Sequence, residues 1–226
     1  MISKTGNSSG LSPLPMDLFA EEKRDIPLGD GAIVLGGFAC PYETKILSAL
    51  ENVIALAPLR HMTTPAGYRM SVAMTSCGQF GWVAERTGYR YDAHDPESGK
   101  PWPSMPEVFM ALAQSAAKKA GYNVFRPTAC LINRYEPSAK LSLHQDKDEL
   151  DLTVPIVSVS LGLPAIFLFG GVKRSDSIRK IPLVNGDIVV WGGASRLAYH
   201  GILPLRPGSH PLLGNQRINL TFRKTN

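Results

Sequence analysis

The sequence predicts a mainly β protein, a double-stranded β-helix (jelly roll) with an N-terminal helical support. Short β-type runs fill the chain from Ala129 onward, with Gly, Pro and Asp between them, and two segments with helical spacing precede them. A chain of 226 residues, 44% of them apolar, can bury one substantial core but is short for two domains. We therefore expect one globular domain.

The first part of the chain is predicted to contain an extension, a strand and a helix. Residues 1–15 are rich in Ser, Gly and Pro and lack periodicity, which favours a flexible extension, and the ordered domain is expected to span 16–226. Apolar residues at 33–38 predict a strand. After Pro41, apolar side chains recur at helical spacing and predict the first helix: Ile46, Leu47, Leu50, Val53 and Ile54.

A second helix is predicted between Ser104 and Gly121. Ser104 and Glu107 have the spacing of a capping box, and Gly121 is a typical helix terminator. Apolar residues lie on one face between them: Val108, Leu112 and Ala116. The stretch that joins the two helices is expected to be rich in loops.

The last hundred residues are predicted to form the jelly roll, at 129–226. Its strands are expected at residues 130–135, 141–144, 156–161, 166–169, 187–191 and 217–223. Many short strands with turn residues between them are typical of this architecture.

Charge and composition restrict the class of partner. The formal net charge of +5 favours a polyanionic partner, because Lys and Arg contacts to phosphates release condensed counterions. Every apolar run is far shorter than the ~18 residues that a membrane helix needs, so no membrane association is expected. Three widely spaced cysteines fit neither a disulfide framework nor a zinc site. We expect buried thiols and a monomeric, cytoplasmic protein.

Two histidines and an aspartate are candidate metal ligands. His144 and Asp146 are two residues apart, so in an extended strand their side chains point to the same face. His200 follows an apolar strand and is the best third ligand among the other histidines. Two imidazoles and one carboxylate form the facial triad that leaves positions open on non-haem Fe(II).

The last predicted strand divides into a polar face and an apolar face. Period two places Arg217, Asn219, Thr221 and Arg223 on one face, and Ile218, Leu220 and Phe222 on the other. Two inward guanidiniums need anions, and a dicarboxylate that also chelates the metal could pair with them. Asn133 and Tyr135 share a face of another strand and can donate hydrogen bonds to the same carboxylates. The alternative is an edge strand with solvated arginines.

These residues resemble the bacterial AlkB family of alkylated-DNA repair dioxygenases, from about Met16 to Arg223. The matching motifs are Leu131-Ile132-Asn133-Arg134-Tyr135, Leu143-His144-Gln145-Asp146-Lys147-Asp148-Glu149, Trp191-Gly192-Gly193, Tyr199-His200-Gly201 and Arg217-Ile218-Asn219-Leu220-Thr221-Phe222-Arg223. The resemblance implies that His144, Asp146 and His200 bind Fe(II). It also implies a 2-oxoglutarate site, formed by Asn133, Tyr135, Arg217 and Arg223, with Asn219 nearby.

The same resemblance implies a nucleotide-recognition lid at 59–104. Its landmarks in this sequence are residues 64–68, residues 70–74 (which end in Met74), Gly81-Trp82 and Gly88-Tyr89. Trp82 resembles the tryptophan that stacks on the damaged base, although an isolated tryptophan is more often an ordinary, partly buried aromatic. Candidate phosphate contacts are Thr64, Tyr89, Lys140 and Arg174.

Asp148 is a candidate contact to the damaged base. It lies two residues beyond Asp146, so a strand-like continuation would direct it to the same pocket. Its charge would favour cationic bases such as 1-methyladenine and 3-methylcytosine. A solvated loop carboxylate is the alternative.

The reaction implied by the resemblance consumes O2 and 2-oxoglutarate and yields succinate, CO2 and formaldehyde. The implied substrate is alkylated DNA, preferably single-stranded, because a base inside a duplex is out of reach. Two alternatives remain: the same iron chemistry on RNA, protein or a small molecule, and a non-catalytic jelly-roll binding module with a structural metal.

Overall fold

The computed structural model describes residues 25–226, so the predicted extension at 1–15 and the predicted start of order at Met16 lie outside the described residues. The described chain forms fourteen strands, β1 to β14 in chain order: Ile26–Gly29, Ala32–Leu35, Arg60–Thr63, Arg69–Gly78, Gly81–Glu85, Gly88–Asp92, Ala129–Tyr135, Leu141–His144, Ile156–Gly162, Ala165–Phe169, Arg179–Leu183, Ile188–Trp191, His200–Ile202 and Arg217–Arg223. The helices are α1, Glu43–Leu56, and α2, Glu107–Lys119.

The strands form two facing sheets and a separate hairpin. The large sheet has the order β1-β2-β12-β9-β14-β7-β4-β3, and the small sheet has the order β11-β10-β13-β8. Strands β5 and β6 pair with each other alone. All of these pairings are antiparallel. The predicted jelly roll is therefore confirmed.

The large sheet separates two cores. One core lies between the sheets and includes Phe167, Phe169 and Trp191. The other lies between the large sheet and the helices, where α1 and α2 pack against the apolar face of β14. Phe109 of α2 meets Phe222 edge-on, with ring centroids 6.1 Å apart. The helices thus support the outer face of the sheet and leave its inner face to the cavity between the sheets.

The period-two prediction for β14 is correct. Ile218, Leu220 and Phe222 belong to the core under the helices, whereas the four polar residues of the strand line the cavity between the sheets. Because every residue of β14 is buried, this strand runs through the centre of the large sheet. The alternative of an edge strand with solvated arginines is therefore wrong.

The second helix ends as predicted but begins differently. Gly121 has φ +93°, and the amides of Gly121 and Tyr122 donate to the carbonyls of Lys118 and Ala117, which is the Schellman pattern. The capping box is absent: Pro106 occupies the N-cap position, with φ −57° and ψ 144°, and no side chain caps the helix there. Ser104 lies two residues too early, because Pro106 sets the start of the helix.

The prediction of a loop-rich stretch between the helices is wrong in part. Four strands, β3 to β6, occupy about half of it, and β4 pairs with β7 inside the large sheet. The hairpin β5–β6 packs beside the cavity and belongs to neither of the two larger sheets. It carries charged and aromatic residues. Its pattern therefore lacks the alternation of a half-buried strand. Among residues 25–226, no helix has both the length and the apolar character required to cross a bilayer.

Candidate active site

A cavity of about 740 Å³ opens between the two sheets, beside the hairpin. Every residue that the sequence predicted for the site lines it: Thr64, Met74, Trp82, Tyr89, Asn133, Tyr135, Lys140, His144, Asp146, Asp148, Arg174, His200, Arg217, Asn219 and Arg223. The sequence pattern and the family resemblance together selected residues that the fold brings together from β4, the hairpin, the small sheet and the centre of the large sheet.

Strands β8 and β13 bring the two histidines together. His144 is the last residue of β8, His200 is the first residue of β13, and the two are directly paired across the strands. Their Nε2 atoms lie 3.6 Å and 3.7 Å from the two carboxylate oxygens of Asp146. One ligand atom from each of the three residues lies within 4.8 Å of the others.

Gly201 makes this pairing possible. A Cβ at this position would lie 2.7 Å from the carbonyl oxygen of Leu141, a contact that side chains do not tolerate. The motif His200-Gly201 therefore combines a ligand with the residue that allows β13 to approach β8.

The protonation states of the triad suit a metal. The Nδ1 atoms of His144 and His200 donate to the carbonyls of Ser142 and Ala198, at 2.8 Å and 3.0 Å, which leaves both Nε2 lone pairs facing Asp146. Burial, together with His144, lowers the pKa of His200 to about 4, so its imidazole is neutral at neutral pH. Burial opposes ionisation of Asp146, but Arg223 and the two imidazoles outweigh it and lower the pKa of this carboxyl.

Asp146 reaches the triad from outside a strand. Strand β8 ends at His144, so the predicted extended geometry does not continue to Asp146. Two arginines hold it instead: Arg223 donates to Oδ2 from Nε at 2.9 Å and from Nη2 at 2.6 Å, and Arg196 donates to the Asp146 carbonyl at 2.7 Å. The donor set of two imidazoles and a fixed carboxylate fits Fe(II).

A buried guanidinium, that of Arg217, also lines the cavity. Arg217 is 1% exposed, and its Nη2 donates to Ser160 at 2.9 Å. Its Nε and Nη1 atoms have no hydrogen-bond acceptor among residues 25–226, and its Cζ lies 4.9 Å from the centre of the Tyr135 ring. Burial lowers the pKa of Arg217, and two unused donors in a buried cation fit an anionic ligand such as a carboxylate.

Asn219 is occupied with its neighbours rather than open to a ligand. Its amide nitrogen donates to Ser158 Oγ and to the Val159 carbonyl, and its Oδ1 accepts from Thr221 and, at 3.3 Å, from Asn133. Asn219 thereby orients Asn133, whose Oδ1 has no partner among the described residues.

Aromatic side chains from the hairpin line the mouth of the cavity. The rings of Trp82 and Tyr89 stack with centroids 5.3 Å apart and an angle of 16° between their planes. Trp82 Nε1 donates to Asp148 Oδ2 at 3.1 Å, so Asp148 faces the cavity instead of lying free in a loop. Met74 also lines the cavity and is fully buried, whereas Tyr89 remains 48% exposed.

The polar rim contains the remaining predicted contacts. Thr64 accepts a hydrogen bond from the Tyr68 amide, and Lys140 lies on the exposed rim. Arg174 donates to the Leu143 carbonyl at 3.1 Å and lies over the Tyr199 ring. Arg179, five residues further along the chain, lies on β11 and donates to the carbonyls of Pro27 and Leu28. Arg179 therefore fastens β1 and does not line the cavity.

Sequence reasoning missed a buried charged group behind the triad. Arg196 and Glu149 form an ion pair at 2.9 Å, with 3% and 2% of their side chains exposed. Tyr91 of β6 donates to the same carboxylate at 2.6 Å. The three residues are distant along the chain, so periodicity could not relate them. The only signal was the acidic character of the run that follows His144.

The fold and the site together define a class: a jelly-roll oxygenase with a His-Asp-His iron site and a buried arginine in the same cavity. The model of the 2OG-Fe(II) oxygenase superfamily matches residues 31–223. The alpha-ketoglutarate-dependent dioxygenase AlkB of Escherichia coli is 57% identical over 210 residues, which cover 92% of this chain and 97% of that protein. The chain belongs to the AlkB family within this superfamily.

Two further comparisons agree with this assignment. A solved structure described as OsALKBH1 superposes with a TM-score of 0.79 and 29% identity, and the match covers 89% of this chain and all of that one. An Arabidopsis thaliana protein named DNA N(6)-methyladenine demethylase ALKBH1D is 32% identical over 147 residues, 54% of this chain and 33% of its own length. The protein is therefore an Fe(II)- and 2-oxoglutarate-dependent dioxygenase, and the alternative of a non-catalytic binding module is wrong.

Proposed function

We propose that the enzyme removes alkyl groups oxidatively from damaged bases in DNA, such as 1-methyladenine and 3-methylcytosine. One observation carries the proposal: a stacked aromatic pair, Trp82 and Tyr89, and the carboxylate of Asp148 lie at the mouth of the same cavity that contains the iron triad. A flat, cationic ring can stack on the aromatic pair there and have its charge complemented by the carboxylate.

The mouth of the cavity selects the base by stacking and by charge. A ring that lies against Trp82 gains dispersion energy, and a cationic ring gains about 0.5–2 kcal/mol more from the indole face. Asp148 can then accept from the exocyclic amine and complement the positive charge. Neutral bases gain less from both contacts, so alkylation itself increases affinity.

The interior of the cavity binds the cosubstrate and holds the metal. Arg217 offers Nε and Nη1 to one carboxylate of 2-oxoglutarate, and Asn133, Tyr135 and Arg223 line the same cavity as Arg217 and the triad. When bound, Fe(II) with 2-oxoglutarate and O2 supplies the oxidation of the alkyl carbon, which then leaves as formaldehyde. His144, Asp146 and His200 fix the position of that chemistry relative to the base.

Apolar walls keep water away from the reacting carbon. The cavity lining includes the apolar side chains of Met74, Leu131, Phe167 and Ile202, which offer no hydrogen bonds to solvent. This dry lining favours reaction with the positioned alkyl group over unproductive turnover.

Single-stranded DNA is the proposed preferred substrate, bound by a monomer in the cytoplasm. A base must leave its stack to enter a cavity of this depth, and a single strand or a lesion that cannot pair reduces that cost. Residues 59–104 would act as the lid over the nucleotide, because they contribute Thr64, Met74, Trp82 and Tyr89 to the lining. Arg174 and Lys140 lie on the rim, where phosphates would pass.

The test is formaldehyde release from oligonucleotides that each carry one lesion, in matched DNA and RNA sequences. We expect formaldehyde in step with succinate, with single-stranded DNA as the better substrate. Equal or higher rates on RNA would move the substrate assignment to RNA. Succinate formation that no oligonucleotide stimulates would instead indicate a protein or small-molecule hydroxylase.

A further inference from the structure

We propose that Tyr91 and Glu149 are positioning residues that fasten the hairpin β5–β6 over the iron site. This inference rests on the proposed function in one respect, since it assigns the hairpin to the base-binding side of the cavity. It adds a division of roles between two contacts. The inner contact, between Tyr91 and Glu149, holds the hairpin closed. The outer contact, between Trp82 and Asp148, is free to exchange with a base.

The hairpin touches the loop after β8 at two points. Trp82 and Tyr91 are directly paired across β5 and β6, so their side chains leave the hairpin on the same face. Trp82 donates to Asp148 at 3.1 Å in an exposed contact, and Tyr91 donates to Glu149 at 2.6 Å in a part-buried one. The cross-strand pair Trp82 and Tyr91 thus binds two consecutive loop residues, Asp148 and Glu149.

The two contacts differ in what a bound base would do to them. A ring that stacks on Trp82 and donates a hydrogen bond to Asp148 competes with the outer contact. The inner contact lies deeper, and burial raises the pKa of Tyr91, which therefore remains a protonated donor. The hairpin can release its outer contact to the base and stay attached through the inner one.

Glu149 connects the hairpin to the iron site. Its Oε2 accepts from Arg196 Nη2, and its Oε1 lies 3.4 Å from Arg223 Nε. Arg196 also donates to the carbonyls of Asp146 and Val154, and Arg223 donates to the Asp146 carboxylate. Arg196 thereby holds both ends of the loop that contains Asp146, Asp148 and Glu149.

Charge explains why an acidic residue is needed at this position. Two guanidiniums, Arg196 and Arg223, are buried within contact of Glu149, and a neutral residue there would leave Arg196 with no anionic partner among those it contacts in residues 25–226. The carboxylate also makes the hydrogen bond from Tyr91 charge-assisted, which is stronger than a neutral one. Removing Glu149 would therefore disturb folding, whereas removing the Tyr91 hydroxyl isolates the contact to the hairpin.

The test is Tyr91→Phe in the full-length holoenzyme. Losing a hydrogen bond to a charged acceptor should raise the KM for a lesion-bearing oligonucleotide about tenfold, with a smaller change in kcat and none in the KM for 2-oxoglutarate. Hydrogen exchange of the enzyme alone should accelerate at the amides of Gly81–Glu85 and Gly88–Asp92 but not in Ile156–Gly162.

Tyr122→Phe is the matched control. Its hydroxyl also makes one hydrogen bond, at 2.8 Å to the Gly31 carbonyl, outside the cavity lining. This variant should change neither the oligonucleotide KM nor exchange in the hairpin.

The proposal is overturned if Tyr91→Phe leaves both the KM and the hairpin exchange unchanged, or if exchange rises equally throughout the protein. Hydrogen exchange needs no substrate, so it reports on the hairpin independently of the proposed function. A wild-type enzyme that ignores all oligonucleotides would contradict the proposed function and leave the exchange result to decide this inference.

Discussion

Arg217 shows how one side chain can indicate a ligand. It is a fully buried cation, and the described residues provide an acceptor for only one of its three nitrogens. Burying a cation with unpaired donors costs free energy unless an anion accepts hydrogen bonds from them. Its partner on the same strand, Arg223, is already paired with Asp146, so Arg217 is the stronger candidate for the distal carboxylate.

Arg217→Lys should weaken 2-oxoglutarate binding much more than oligonucleotide binding. A lysine keeps the charge but presents a point donor where the guanidinium presents a planar fork, so we expect the KM for 2-oxoglutarate to rise by at least about tenfold. Kinetics with varied 2-oxoglutarate and direct oligonucleotide binding would separate the two effects. Equal losses for both ligands would contradict the assigned role.

Asp148→Asn tests whether the mouth of the cavity discriminates between cationic and neutral bases. The amide keeps the shape and an acceptor for Trp82 but loses the charge, which should cost cationic lesions about 1–2 kcal/mol. Rates on 1-methyladenine and 3-methylcytosine should therefore fall more than the rate on neutral 1-methylguanine, at fixed iron and 2-oxoglutarate. An equal fall in rate for all three bases would show that Asp148 supports the site but does not discriminate between charged and neutral bases.

The sequence predicted the candidate ligand-binding residues but missed the buried ion pair behind the triad. His144, Asp146 and Arg217 could be found because strand periodicity and donor chemistry identify them. Glu149 and Arg196 are 47 residues apart and meet only through the folding of two loops. No local pattern contains that contact.

Among the elements, the pair β8–β13 creates the iron site. The two strands are only four and three residues long, and Gly201 allows their backbones to approach. Strand β13 was not predicted as a strand, because three residues are too few to show a period. Strand β14, with seven residues and strict alternation, was predicted with its correct bounds.

Gly201→Ala should impair metal binding more than a neutral substitution in the same sheet. The added Cβ would lie 2.7 Å from the Leu141 carbonyl, so β13 must move away from β8 and take His200 with it. Fe(II) retention and the metal-induced rise in Tm measure this effect. Gly170→Ala is the control, since its Cβ would make only ordinary contacts of 3.5 Å or more. Equal iron retention in both variants would contradict the role of Gly201.

For the molecule as a whole, the net charge of +5 predicts salt-sensitive binding to nucleic acid. Arg174, on the rim of the cavity, is the candidate with the clearest position for a phosphate contact. Charges elsewhere on the surface contribute to the general field and should matter less for a specific contact.

Arg174→Ala should flatten the dependence of oligonucleotide affinity on salt by about one phosphate contact. Binding titrations over a range of salt concentrations give the slope for the wild type and the variant. Lys118→Ala, on an exposed position of α2 outside the cavity lining, should leave the slope unchanged. A slope that Arg174→Ala does not alter would remove Arg174 from the phosphate path.

The most direct test of iron-dependent demethylation is the intact mass of a single-stranded DNA oligonucleotide with one 1-methyladenine, before and after turnover. The wild-type enzyme with Fe(II), 2-oxoglutarate and O2 should lower the mass by one methylene group. His144→Ala should leave the mass unchanged and retain the fold, because His144 is half-buried and its loss opens only the iron site. His94→Ala, an exposed histidine outside the cavity lining, should react like the wild type. An active His144→Ala variant, or a wild-type enzyme that consumes 2-oxoglutarate without changing the mass, would contradict the account.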